Sequence, residues 1–213
     1  MFKDPVDQCQ TCELGRAGAC PFTPRLVSRD AVVSTQGEIT GEVGFVKSGI
    51  LVMSTVGSRG DEQRVSVRGP RSVVGLEALE GQTAAEEVRA LTDVVLCRSE
   101  VARVKRWASA GPAANALLQL AITELALRRA EVDLRQGPAI SRVARFALAY
   151  ANLVQSGRGK HFSKERVARM LGMRPETFSR ILRKLSDQRL IDSKVGIKVL
   201  DAPALERMSQ TDA

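Results

Sequence analysis

Histidine is almost absent from this chain, which carries one, His161, in 213 residues. Tryptophan and tyrosine also occur once each, beside six phenylalanines, so aliphatic side chains must build most of the core. A single histidine and no clustered carboxylates leave no nucleophile–base constellation, which argues against an enzyme. No apolar run approaches the roughly 18–20 residues that a membrane-spanning helix requires. The opening Met1-Phe2-Lys3-Asp4-Pro5 carries no apolar signal segment. The expectation is a soluble cytoplasmic protein with no membrane partner, long enough for two compact domains.

Positive charge is present, but only at one end. Up to Gly137 there are 17 basic and 17 acidic residues, whereas from Pro138 onward there are 15 and 7. The rear therefore carries the whole net charge of +8. Lysine and arginine neutralise phosphates and release counterions, so a basic rear behind a neutral front points to nucleic acid. A solvated basic face would give the same count, and charge alone does not separate the two.

Glycine and proline punctuate the chain. Residues 1–22 form a turn-rich leader with Gly15, Gly18 and Pro21. Residues 26–97 read as short strands broken by glycine, with apolar or alternating runs at 44–53, 63–67 and 94–96. Many short strands with frequent turns suggest a small antiparallel barrel or jelly roll. Residues 99–109 read as a short helix with Ser99 as N-cap and Gly111-Pro112 as its stop. Residues 113–136 give the longest helical signal. Within it Leu118, Ala121, Leu125, Arg128 and Val132 recur at spacings of three and four, as a two-helix seam would. A slip of one residue would put Ile122 and Arg129 on the seam instead. Gly137-Pro138 breaks the helix and marks a domain boundary. Residues 140–154 form another amphipathic helix. The fold expected is α+β, divided into a leader (1–22), a barrel (23–110), a long dimerisation helix (111–137) and a basic helical domain (138–213).

In that last domain, residues 163–171 begin on a capping serine and place Val167, Met170 and Leu171 on one face. Gly172 follows, the residue that most easily takes the left-handed conformation of a tight helix corner. Pro175 stands where a first helical turn tolerates proline. In the second helix Phe178, Ile181 and Leu185 face inward, leaving Glu176, Ser179, Arg180, Arg183 and Lys184 outside. A recognition helix needs polar side chains at its amino end for base edges and basic ones further on for phosphates. Arg180 can address a guanine bidentately, Glu176 can accept from a cytosine or adenine amino group, and Ser179 is permissive. A plain hairpin with a charged face is the alternative. The basic context, and a following hairpin (residues 190–199) that can serve as a wing, favour DNA. A small helix is expected after Pro203.

Cysteine is scarce but patterned. Cys9, Cys12 and Cys20 lie in the leader, and Cys97 closes the last barrel strand. Structural disulfides are not expected in the cytosol. Thiolates at short spacing with a distant fourth suit a soft metal centre, and spacing alone leaves zinc and iron–sulfur equally open. Taken alone, Cys97 reads as a buried thiol.

The segment Leu171-Gly172-Met173-Arg174-Pro175-Glu176-Thr177-Phe178-Ser179-Arg180 resembles the winged-helix motif of the CRP/FNR regulators, and leader, barrel, long helix and winged helix follow the family's order. The Glu-Thr-x-Ser-Arg form is similar to the FNR branch, which implies TTGAT-like palindromic sites read by Glu176, Ser179 and Arg180. Arg174 departs from the family's usual Ser or Thr cap. The resemblance also implies that Cys9, Cys12, Cys20 and Cys97 are metal ligands holding a [4Fe-4S] cluster that senses oxygen or nitric oxide. Seven residues separate Cys12 from Cys20, where the best-known members have five. The partners implied are double-stranded DNA, a second copy of the chain and RNA polymerase. Cluster binding would order the leader and favour dimerisation. An arginine at position 128 or 129 would oppose association of the cluster-free form, unless these arginines turn outward to Glu124 or Glu131. The family's cyclic-nucleotide cassette has Gly-Glu followed by a phosphate-binding Arg. Here Leu76 follows Gly75, and Ala84, Ala85, Glu86 and Glu87 stand near the Arg position, so no cAMP is expected. A His161-based haem is disfavoured by its place in the rear domain. The remaining alternative is a regulator without the cluster, its cysteines acting as thiol sensors or zinc ligands.

Overall fold

The computed structural model describes residues 12–16, 20–58, 60, 62–109, 111–155, 163–193 and 197–210. Cys9, His161 and the expected hairpin tip at 194–196 lie outside the described residues. Contacts divide the chain into two compact units, Met1–Glu62 with Val67–Leu127, and Gln63–Ser66 with Arg128–Ala213.

In the first unit a short helix α1 (Glu13–Arg16) precedes strands β1 (Thr23–Val27), β2 (Val32–Ser34), β3 (Glu42–Ser48), β4 (Leu51–Val56) and β5 (Glu62–Arg68). There follow β6 (Val73–Val74), a 3-10 turn (Leu76–Glu80), β7 (Glu87–Ala90), β8 (Val94–Glu100) and helices α2 (Val101–Ala108) and α3 (Gly111–Asp133). The strands form two four-stranded sheets, ordered β1-β8-β3-β6 and β2-β7-β4-β5. This is the expected α+β architecture with an amino-terminal β domain.

Period-two alternation sorts the side chains of β3 and β8 between two cores. Val46, Val94 and Leu96 point between the sheets, where they meet Leu51, Met53, Val88 and Ala90. Val43, Phe45 and Cys97 point to the outer face, covered by Leu14, Phe22, Val104 of α2 and Leu120 of α3. Cys97 sits opposite Phe45 on one side and Pro24 on the other.

Three local expectations are corrected. The apolar run 44–53 is two strands, because Gly49 (φ 88°) turns the chain where a Cβ would stand 2.8 Å from the Val94 Cα. Ser99 is no cap: ladder pairing with Val43 keeps it in β8, and Glu100 precedes α2 without a side-chain cap. Gly111-Pro112 opens α3 rather than stopping α2, since a first helical turn has no use for the missing N–H.

The second unit holds α4 (Ala139–Gln155), α5 (Lys164–Met170), α6 (Pro175–Asp187), a two-stranded pair β9 (Ile191–Asp192) and β10 (Lys198–Val199), and α7 (Ala202–Gln210). Helix α4 buries Val143, Ala144, Phe146 and Ala147 and packs on α6 and α7. The Phe146 and Phe178 rings meet edge to face at 6.5 Å. Asp201 accepts from the Ala204 N–H at 3.0 Å, so α7 starts one residue before Pro203. Among the described residues no helix is long and apolar enough to cross a membrane.

Candidate functional site

Helix α5 is capped by Ser163, whose side chain accepts from the Arg166 N–H at 3.1 Å. The corner after it requires a left-handed residue, and Gly172 adopts φ 61°. Pro175 lies in the first turn of α6, and Arg174 at the N-cap makes no side-chain cap bond. Phe178, Ile181, Leu182 and Leu185 are buried, which fixes the helix by its apolar stripe. The opposite stripe carries Glu176, Arg180, Arg183 and Lys184, all exposed, with Ser179 half-buried between them. Acceptor and donor groups at the amino end, followed by cations, are what base edges and phosphates respectively require. The antiparallel β9–β10 pair follows directly as a short wing.

A second constellation lies in the first unit. Cys97 is buried in the outer core of the β1-β8-β3-β6 sheet, and Cys12 and Cys20 pack against that same core. Residues at positions 12, 20 and 97 are thus brought to one apolar patch beneath α2 and α3. Trp107 packs on it too, its ring 6.2 Å from Phe22 and nearly perpendicular. The Trp107 indole N–H is buried with no hydrogen-bond partner. Among the described residues no group of three or more His, Cys, Asp or Glu side chains is placed to hold a metal ion.

The outward face of α3 is apolar. Leu118, Ile122, Leu125 and Val132 are 55–68% exposed, an apolar stripe of the kind that marks an interaction surface. Ala121 and Arg128 are half-buried, whereas Arg129 is exposed. Glu124, one of the two acids expected beside the seam arginines, has a buried partner of its own. It turns inward to Arg68 of β5, which donates through Nη2 at 2.7 Å and Nε at 2.9 Å. Both side chains are buried, and the third guanidinium nitrogen, Nη1, donates to the Val67 carbonyl at 3.0 Å. Sequence reading missed this pair because its partners are 56 residues apart and nothing local marks Arg68 as interior.

In the cassette region Gly75 takes φ 77° before the 3-10 turn. Ala84 and Glu86 are buried, and Glu87 pairs with Arg89 at 2.8 Å. The cavity bordered by Gly75, Glu77, Glu42 and Arg98 measures about 20 Å3.

Two family models match the chain, the cyclic nucleotide-binding domain over residues 24–109 and the Crp-like helix-turn-helix domain over residues 141–208. Among solved structures, FixK2 from Bradyrhizobium japonicum matches with TM-score 0.76 at 21% identity, over 90% of this chain and 99% of its own. A CRP-family transcriptional regulator from Thermus thermophilus matches with TM-score 0.71 at 22% identity, over 88% and 97%. The c-di-GMP-responsive global regulator CLP from Xanthomonas campestris gives 0.65 at 22%, over 84% and 94%. At such identities the likeness is one of fold. A search of curated proteins finds no match.

Proposed function

With a cyclic nucleotide-binding-type domain followed by a Crp-like helix-turn-helix, this chain is a DNA-binding transcription regulator of the CRP/FNR family, and we propose that its signal is read by a cysteine-ligated iron–sulfur cluster. The observation that carries the proposal is the meeting of Cys12, Cys20 and Cys97 on one apolar core. Their thiolates, with Cys9, make a four-sulfur donor set suited to [4Fe-4S] ligation. The orphaned Trp107 N–H supports the reading, since a buried donor without an acceptor asks for one and sulfur accepts. When bound, the cluster supplies a centre that reacts with oxygen or nitric oxide. The chain's own part is to shield the thiols beneath Leu14, Phe22 and Val104, and to connect them to Leu120 on the inner side of α3. Leader order is thereby tied to the helix that bears the seam, so the loaded form dimerises and acts with RNA polymerase at its sites.

A cyclic nucleotide is not the proposed effector. The 20 Å3 cavity beside Gly75 is far below the roughly 300 Å3 at which small-molecule sites begin.

Anaerobic purification followed by absorption spectroscopy and metal analysis tests the cluster. A broad band near the blue edge of the visible, bleaching in air, with about four irons per chain is expected. Cys97→Ser should abolish both while the fold persists. A colourless protein carrying zinc would replace the proposal with the thiol or zinc alternative. Trp107, the only tryptophan, gives a second readout: its emission should rise as the cluster is lost.

For the output end, we propose that Glu176, Ser179 and Arg180 read TTGAT-type half-sites and that Arg183 and Lys184 hold phosphates. Arg180→Ala should lose about 1–3 kcal/mol of discrimination against scrambled duplexes. Equal weakening on both duplexes would make Arg180 a phosphate anchor instead.

A further inference from the structure

The carboxyl end of α5 has a complete account of its carbonyls. A helix leaves its last carbonyls without partners, and here the corner supplies three. Leu171 N–H donates to Val167 at 3.0 Å, Met173 N–H to Ala168 at 2.9 Å and Gly172 N–H to Arg169 at 3.0 Å. The next three carbonyls are met by two arginines from outside the motif. Arg135 donates through Nε to Met170 at 3.0 Å. Arg142 donates through Nη1 to Leu171 at 2.8 Å and to Gly172 at 3.3 Å. Arg135 lies in the turn that follows α3, and Arg142 in the first turns of α4. A third guanidinium closes the turn itself: Arg145 donates to the Gln136 carbonyl beside left-handed Gly137.

We infer that Arg135 and Arg142 are positioning residues that fix the angle of the recognition helix relative to the turn behind the seam helix. The inference rests on the DNA-binding reading of α5 and α6. Both arginines grip the corner only three to five residues before Pro175, where α6 begins. Guanidinium is charged at every working pH and offers donors in a rigid fork, so it holds direction where a lysine would hold one point. The negative end of the α5 dipole adds to the attraction. A helix-turn-helix dimer must present two recognition helices about 34–36 Å apart, so an error in angle is felt chiefly when both half-sites are engaged.

The test compares wild type with Arg135→Gln and Arg142→Gln as full-length dimers. The probe is a palindromic duplex selected by the wild type from a random pool, together with its single half-site and versions with spacing changed by one base pair. The expected result is a fall of about tenfold or more in the ratio of palindrome to half-site affinity, with a flattened preference for spacing. Arg142→Lys should recover part of it. The salt slope on the half-site should stay as in the wild type. Loss of affinity in parallel on palindrome and half-site, tracking a lowered Tm, would reduce both residues to structural props and overturn the inference. A salt slope lowered by about one would make them phosphate contacts and also overturn it. Failure of the wild type to enrich any duplex would sink the DNA reading itself, and the inference with it.

Discussion

Glu124→Leu is expected to destabilise the first unit by about 3–5 kcal/mol, a large share of the stability of any domain. The reason is what remains behind. Arg68 is fully buried, and a guanidinium cannot shed its proton to escape the low-dielectric interior. In the wild type, Glu124 accepts three of its hydrogen bonds, at 2.7, 2.9 and 3.1 Å, and the Val67 carbonyl accepts another at 3.0 Å. Removing the carboxylate takes the counter-ion from a desolvated charge. Glu124→Gln keeps an acceptor oxygen and should lose less. The double variant Arg68→Met, Glu124→Leu removes both charges and should return near wild-type stability, because a buried ion pair and an apolar pair of similar volume are often close in energy. Denaturant unfolding of the four proteins measures these differences. If Glu124→Leu and the double variant unfold alike, Arg68 finds water in the single variant and the pair is weaker than its burial implies. The pair also has a consequence for α3. It pins the inner side of the helix to β5, so that Leu125, the next residue, is held on the outward face.

The helix-turn-helix was legible in the sequence because its signals are local. A capping Ser163, a left-handed Gly172, a Pro175 at the helix start and the Phe178–Ile181–Leu185 stripe each announce their role within a few residues. The barrel was legible in kind, through glycine turns and alternation, but less so in its edges. Ser99 is a strong cap by type, yet strand pairing decided its conformation. Gly111-Pro112 can end one helix or begin another, and only packing chooses. The convergence of Cys12 and Cys20 on Cys97 follows from alternation along β8, which turns Cys97 away from Leu96 and toward the outer face. What no local pattern could reveal are the long-range guanidinium contacts. Arg68, Arg135 and Arg142 read as three of many surface arginines, and each is defined by partners 29–56 residues away.

Leu125→Glu is expected to convert the loaded protein from dimer to monomer and to weaken binding to a palindromic duplex by about 10²–10⁴-fold. That is the gain that linking two recognition helices provides. Leu125 is 68% exposed, the most exposed large apolar residue of α3, and it belongs to the proposed seam in either register. A glutamate there would face its own twofold mate across the coiled-coil core. Exposure favours the register through Ile122 and Arg129. Leu118, Ile122, Leu125, Arg129 and Val132 all stand out at spacings of four and three, whereas Ala121 and Arg128 are half-buried. In the proposed dimer, Arg129 is then the charge expected to meet its mate and to oppose association of the cluster-free form. Solution mass of the cluster-free protein decides this: Arg129→Ala should raise the dimer fraction, and Arg128→Ala should leave it unchanged. The reverse result would restore the register through Ala121 and Arg128. If Leu125→Glu stays dimeric, α3 is not the seam, and its exposed leucines must be covered by something other than a second copy.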